Sequence, residues 1–259
     1  MLRERHQEIP GVGPSANDTN PLGFYSSAVV PVEPPPSPWD FPPAASADEY
    51  GVVAVGADLE PGTLLAGYRR GIFPMPIDQS REIGWWSPDP RGVLELDDLR
   101  VSRSLRRSMQ RYHVSTDICF RDVAEACADP GREGGWITGP MLDAYDRLHQ
   151  LGWAHSVEVW DESGHLVGGL YGLSIGGLFC GESMFHRSTD ASKVALVVLV
   201  DRLRSGGASL VDVQWQTDHL STLGVSAIGR SAYVERVAEL TAPQHSQTWE
   251  PRVQTEERG

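Results

Sequence analysis

Two short stretches of this 259-residue chain carry side chains whose types could do chemistry. The first is "SLVDVQWQ" (209–216). Strand alternation sets Leu210, Asp212, Gln214 and Gln216 on one face and Val211, Val213 and Trp215 on the other. The second face reads as core. The first carries an acid and amides, and is either a solvent-exposed face or a polar cluster inside a cleft. In a cleft, a carboxylate and an amide can orient a substrate. The second stretch is "LFCGESMF" (178–185), where strict alternation groups Leu178, Cys180, Glu182 and Met184. A carboxylate on that face is desolvated, so it needs a raised pKa or a fixed partner. A structural ion pair with Lys193 or Arg187 is one reading, and a role in a site is the other. Gly181 marks a place where a bulge could re-aim these side chains.

A third feature is basic. Arg100, Arg103, Arg106, Arg107 and Arg111 crowd into "RVSRSLRRSMQR" (100–111). Arg103, Arg107 and Arg111 are spaced i, i+4, i+8, one face of a helix. Such a stripe can bind phosphates, or it can be a solvated face. The formal net charge is −13, so the molecule as a whole is not built to coat nucleic acid, and any RNA contact must be local. Phosphate loop, dinucleotide fingerprint, H-E-x-x-H and G-x-S-x-G patterns are absent from the sequence. Cys119, Cys127 and Cys180 have neither C-x-x-C spacing nor nearby paired His, which predicts free thiols in a reducing cytoplasm and no metal site. No apolar run approaches the ~20 residues that span a bilayer. The first twenty residues lack the apolar core of a secretory signal.

The elements that must position these residues follow from pattern. Helices are predicted over 61–71 (Pro61 near its start, Gly71 as its stop), 102–111 (capped by Ser102), 140–152, 190–207 (capped by Asp190), 218–224 and 231–240. Strands are predicted over 154–160, 165–176, 178–185 and 208–216. Helices, then a meander, then a helix and a strand give an α+β layering. Four segments are expected: a disordered N-terminal extension (1–37), a small N-terminal domain (38–90), a second domain (91–240) and a flexible polar tail (241–259).

The chain resembles the leucyl/phenylalanyl-tRNA–protein transferase family. The resemblance rests on "GADLEPGTLLAGYRRGIFP" (56–74), "WWSPDPRGVL" (85–94), "SRSLRR" (102–107), "GWIT" (135–138), "AYDRLHQLGWAHSVEVW" (144–160), "LVGGLYGLSIGGLFCGESMF" (166–185), "ASKVAL" (191–196) and "DHLSTLG" (218–224), in order over roughly 41–240. It implies a GNAT-like mixed-sheet C-terminal domain behind the small N-terminal one. It also implies a bacterial cytoplasmic enzyme, expected to be a monomer. That enzyme takes Leu, Phe or Met from aminoacyl-tRNA and joins it to proteins beginning with Arg or Lys, marking them for N-degron-dependent degradation. The ester of aminoacyl-tRNA is already activated, so neither ATP, metal nor other cofactor is expected.

The resemblance further implies that Asp212 and Gln214 are the catalytic pair. Glu182 would bind a polar group of the substrate. Met75, Trp136, Leu170, Phe179, Met184, Leu196 and Leu199 would form the apolar amino-acid pocket, and the arginine stripe would hold acceptor-stem phosphates. The chain departs from the family pattern at Met75, where Trp is usual, at Leu199, where Phe is often found, and at Thr217, where Asn is common. Two lost rings remove stacking surface, which predicts a looser pocket. An acyl-CoA N-acetyltransferase, a Fem-like transferase and a non-catalytic RNA-binding module are the competing readings. The first would need R/Q-x-x-G-x-G/A, which "RSGGAS" (204–209) misses.

Overall fold

The computed structural model describes residues 29–77, 82–131, 135–242, 249 and 252–254. Pro61 opens helix α1 (Pro61–Tyr68) because its fixed φ and missing N–H cost nothing in a first turn. Three short strands, β1 (Val52–Val55), β2 (Phe73–Pro76) and β3 (Ile83–Trp86), make an antiparallel sheet in the order β1-β3-β2. Trp85 fills the core of this unit, fully buried against Phe41 at 4.4 Å between ring centroids. Its indole N–H donates to the Gly56 carbonyl.

The larger sheet begins with β4 (Arg91–Glu95) and continues with β5 (His113–Thr116), β6 (Ala154–Trp160), β7 (Leu166–Ile175), β8 (Leu178–His186), β9 (Leu210–Gln214), β10 (Ser226–Ile228) and β11 (Arg252–Gln254). Their spatial order is β10-β4-β9-β8-β7-β6-β5-β11. Neighbours run antiparallel except β8 and β9, which run parallel and are linked by helix α5 (Ala191–Ser205). On one face, α1, α3 (Phe120–Cys127), α4 (Gly139–Gln150) and α7 (Arg230–Leu240) pack with Tyr171, Cys180 and Leu210. On the other, α5 and α2 (Arg103–Met109) pack with Leu170, Phe179 and Val211. The molecule is therefore α+β, with a small N-terminal sheet and a mixed larger one. Among the described residues no helix is long and apolar enough to cross a membrane.

Ser102 caps α2 as expected, accepting from the Leu105 N–H at 3.1 Å. Asp190 occupies the cap position of α5 but does not cap it. It sits at φ +64°, and its carboxylate accepts instead from Lys193 and Ser108. The expected disorder over 1–37 lies outside the described residues up to 28. Over 29–37 the backbone is tied to the rest of the molecule: the Val32 N–H donates to the Leu151 carbonyl at 2.8 Å, and Pro34 is buried. Of the expected tail, residues 241, 242, 249 and 252–254 are described. Trp249 is 2 % exposed, and β11 pairs with β5. A bare strand edge offers unpaired backbone groups, and β11 satisfies those of β5.

Candidate active site

The site forms where the two parallel strands part. Register along β8 and β9 runs Leu178–Leu210, Phe179–Val211 and Cys180–Asp212, and pairing stops there. Two residues further, Glu182 and Gln214 stand at matching positions on strands that no longer bond to each other. A cavity of about 260 Å³ opens at this fork, lined by both of them. Its walls are apolar: Leu170, Phe179, Met184, Val211 and Val213 from the sheet, Leu196 and Leu199 from α5, and Leu220 from α6 (Asp218–Ser221).

Glu182 is placed by a bulge. Tyr171 pairs with Ser183 and Gly172 with Gly181, so Glu182 is the extra residue on β8. The bulge also inverts the alternation. Leu178 and Cys180 face the α3/α4 side, but beyond the bulge Phe185 takes that side and Met184 turns to the α5 side. Met184 thus joins Phe179 in the cavity wall rather than sharing a face with Cys180.

The ion pair considered for Glu182 is not made. Lys193 binds Asp190, and Arg187 donates to the Leu166 carbonyl. Glu182 instead meets two phenols: Tyr68 on α1 donates to Oε1 at 2.7 Å, and Tyr145 on α4 donates to Oε2 at 2.6 Å. The two phenol oxygens lie 2.7 Å apart. Three close oxygen contacts therefore share only two phenolic protons while Glu182 is ionised. A proton arriving on Glu182 would complete the ring, one proton to each contact. Burial pushes the Glu182 pKa up to about 7, against the lowering pull of Tyr145 and Tyr68, with the Asp212 charge adding to the rise and Arg91 opposing it. Tyr68 and Tyr145 have pKa values pushed far above the ordinary phenol by burial and by the Glu182 charge, so they remain donors. The arrangement is a carboxylate built to take up a proton near neutrality.

Asp212 is held by a full set of donors. It is fully buried, and the solvent-exposed reading of its face is excluded. Oδ1 accepts from Arg91 Nε at 2.8 Å and from the Gln214 N–H at 2.9 Å. Oδ2 accepts from Arg91 Nη2 at 2.6 Å and from the Tyr233 hydroxyl at 2.8 Å. A carboxylate offers about four acceptor directions, and all are used. Burial works against the Arg91 charge, but the Asp212 carboxylate outweighs it, and the guanidinium holds its proton more tightly than usual. Arg91 lies over the rings of Phe73 and Tyr233 at 4.7 and 4.4 Å.

Through its backbone bond, Asp212 fixes Gln214 at φ +61°. A non-glycine residue there stores about 1–3 kcal/mol of strain. The Trp215 N–H closes a three-residue turn on the Val213 carbonyl at 2.7 Å. This turn ends the alternation, so Trp215, expected in the core, is 41 % exposed and meets Phe73 edge-on. Gly92 faces the turn, and a Cβ there would fall 2.6 Å from the Gln216 nitrogen. The outcome is that Gln214 lines the cavity with its Nε2 buried and without a hydrogen-bond partner among the described residues. The Tyr171 hydroxyl is also buried without a hydrogen-bond partner among the described residues, on the α3/α4 side of the sheet where its ring meets Phe120 and Tyr145. Buried donors left unpaired are costly unless a ligand meets them.

The residues expected in the pocket divide. Leu170, Phe179, Met184, Leu196 and Leu199 line the cavity. Met75 and Trp136 do not. Met75 lies in the small sheet, its carbonyl accepting from Trp86, and both pack on the core of the α3/α4 face. The loosening expected at position 75 therefore does not reach this cavity, whereas Leu199 does border it. Arg100, Arg103, Arg106, Arg107 and Arg111 are all exposed. α2 ends at Met109, which leaves Arg111 beyond the helix, bonded to Ser108 and cutting the expected stripe short. Sequence reasoning did not single out Tyr68, Tyr145, Tyr171, Arg91 or Tyr233. Tyr145 did leave a signal, a hydroxyl on the apolar face that Met141 and Leu148 define.

A family profile described as "Leucyl/phenylalanyl-tRNA protein transferase" matches residues 93–238, and one for its N-terminal domain matches 57–89. The chain is 52% identical over 204 residues to the leucyl/phenylalanyl-tRNA–protein transferase of Stutzerimonas stutzeri (strain A1501), covering 76% of this chain and 89% of that protein. It is 47% identical over 219 residues to the protein of the same name from Tolumonas auensis, covering 83% and 93% respectively. Among solved structures it is similar to the crystal structure of FemX, with a TM-score of 0.43, 11% identity, and 65% and 66% of the two chains covered. With both parts matched in order and about half of the aligned residues identical to those of these relatives, the chain belongs to the leucyl/phenylalanyl-tRNA–protein transferase family.

Proposed function

We propose that this protein moves leucine, phenylalanine or methionine from charged tRNA to the N-terminal amine of an acceptor protein that begins with Arg or Lys. The observation that carries this reading is one apolar cavity ending on two complementary polar groups: Glu182, whose pKa lies near 7, and the unpaired Gln214 amide. The cavity receives the donor's apolar side chain. The acceptor amine attacks the aminoacyl carbonyl carbon, forming the C–N bond, and the C–O bond to the ribose then breaks. Gln214 Nε2 donates to the carbonyl oxygen as negative charge grows there. Glu182 takes the proton that the amine loses and completes its ring with the two tyrosines. That proton is then passed on to the leaving ribose oxygen, which departs as a hydroxyl and returns Glu182 to its ionised form. Asp212 has no free acceptor direction and acts as the positioning group for Gln214. On this reading the protein works as a cytoplasmic monomer, and its products enter N-degron-dependent degradation.

The direct test supplies tRNA charged with labelled leucine and a peptide beginning with Arg. Label is expected in the peptide, and Asp212→Ala should abolish it because Gln214 loses its anchor. Charged tRNA that binds but never labels any peptide would overturn the reading.

The exposed arginines on and beside α2 supply phosphate contacts without base readout. Changing Arg103 and Arg107 to Ala should weaken tRNA binding and reduce the slope of log K against log salt by roughly 1–2. A slope equal to that of the unaltered protein would remove α2 from the tRNA surface.

A further inference from the structure

Trp249 lies beyond the family match, which ends at residue 238, yet it reaches the core beside the candidate site. Its indole stacks on His155 at 4.1 Å with the planes 9° apart, and Arg202 lies over the ring at 4.4 Å. His155 is in turn held by Asp117 and the Gly152 carbonyl. The backbone of Trp249 bridges to Val29, and the strand that follows it pairs with β5. The indole also approaches the ring of Phe179 at 6.0 Å. Phe179 lines the cavity and Trp249 does not, so the contact comes from outside the cavity wall. On β7, Gly172 gives the same ring its space, since a Cβ there would fall 2.6 Å from it. Phe179 is thus confined by a bare backbone and by a tryptophan from the C-terminal segment.

We infer that Trp249 is a specificity-determining residue. By blocking the retreat of Phe179, it sets the depth of the apolar cavity and so discriminates among donor side chains of different size. This rests on the proposed aminoacyl transfer. Interiors are close-packed, so removing a buried indole leaves space into which a neighbouring ring can move. A Phe179 ring that withdraws lengthens the cavity and favours the larger donor.

The test compares Trp249→Ala, Trp249→Leu, Trp249→Phe and a chain ending at Ala242. In each, kcat/KM is measured with tRNA carrying leucine and with tRNA carrying phenylalanine. For Trp249→Ala, Trp249→Leu and the shortened chain, the phenylalanine-to-leucine ratio is expected to rise by roughly tenfold. Trp249→Phe should keep it near that of the unaltered protein. If both donors fall in proportion, leaving the ratio within about twofold, Trp249 is only structural and the inference is overturned. Binding of leucine and phenylalanine methyl esters, followed by calorimetry, reads the cavity without any transfer step. A shift in ester preference from a protein that transfers nothing would sustain the role of Trp249 and overturn the proposed function. An unshifted ester preference in Trp249→Leu would overturn the role itself.

Discussion

Glu182→Gln is expected to lower transfer by on the order of 10²–10⁴-fold, while leaving the protein at least as stable above neutral pH. The amide keeps the shape of the carboxyl group and can still bond Tyr68 and Tyr145, but it cannot accept the proton released by the attacking amine. In the unaltered protein the rate should climb with pH through about 7, as Glu182 ionises. The Gln variant should lose that limb.

Stability moves the other way. The folded pKa of about 7 lies above the ordinary value of 4.5, so the fold favours the protonated form. The stability tied to that proton is full below pH 4.5, declines as pH rises to about 7 and is lost beyond it. An amide is neutral throughout, so at pH 8 the Tm of the variant should equal or exceed that of the unaltered protein. Unchanged kcat would remove Glu182 from the proton's path. A large fall in Tm at pH 8 would make it a stabilising charge instead.

Arg91→Met is expected to be the most damaging substitution for the fold. It strands the Asp212 carboxylate at zero exposure with two of its four bonds gone. Breaking one side of a buried pair costs about 3–5 kcal/mol, which in a domain of this size lowers Tm by on the order of 10 °C. Adding Asp212→Asn should recover much of the loss, because no lone charge then remains buried. It should not restore full transfer, since the altered group no longer holds the Gln214 turn as the carboxylate does. Thermal unfolding of the single and the double variant checks this. A double variant no more stable than Arg91→Met would show that charge burial is not what the pair balances.

Glu182, Asp212 and Gln214 were legible in the sequence because each breaks a local rule: a charge in an apolar run, and a polar pair on a strand flanked by valines. Their partners were not. Tyr68, Tyr145, Arg91 and Tyr233 come from α1, α4, β4 and α7, and only tertiary packing joins them. The turn at Gln214 carries no glycine to announce it, and strict alternation therefore misplaced Trp215. The bulge at Glu182 could be suspected from Gly181, but its effect on Met184 depends on the pairing with β7. Resemblance implies Met75 and Trp136 for the pocket, and neither is among the residues that line the cavity at the fork. Trp249 falls in a polar stretch, although a lone indole among polar residues is the kind of side chain that seeks a buried place.

The parallel pairing of β8 with β9 has a consequence for how this protein can change. Antiparallel neighbours can be joined by a tight turn, but parallel ones require the chain to travel back along the sheet, and here it does so as α5. Leu196 and Leu199, which border the cavity, therefore sit on the span that connectivity demands. A recognition loop can lengthen or shorten freely, whereas this wall cannot be resized without shifting the strand that carries Asp212 and Gln214. Donor preference must therefore drift by exchanging side chains on a span of fixed length.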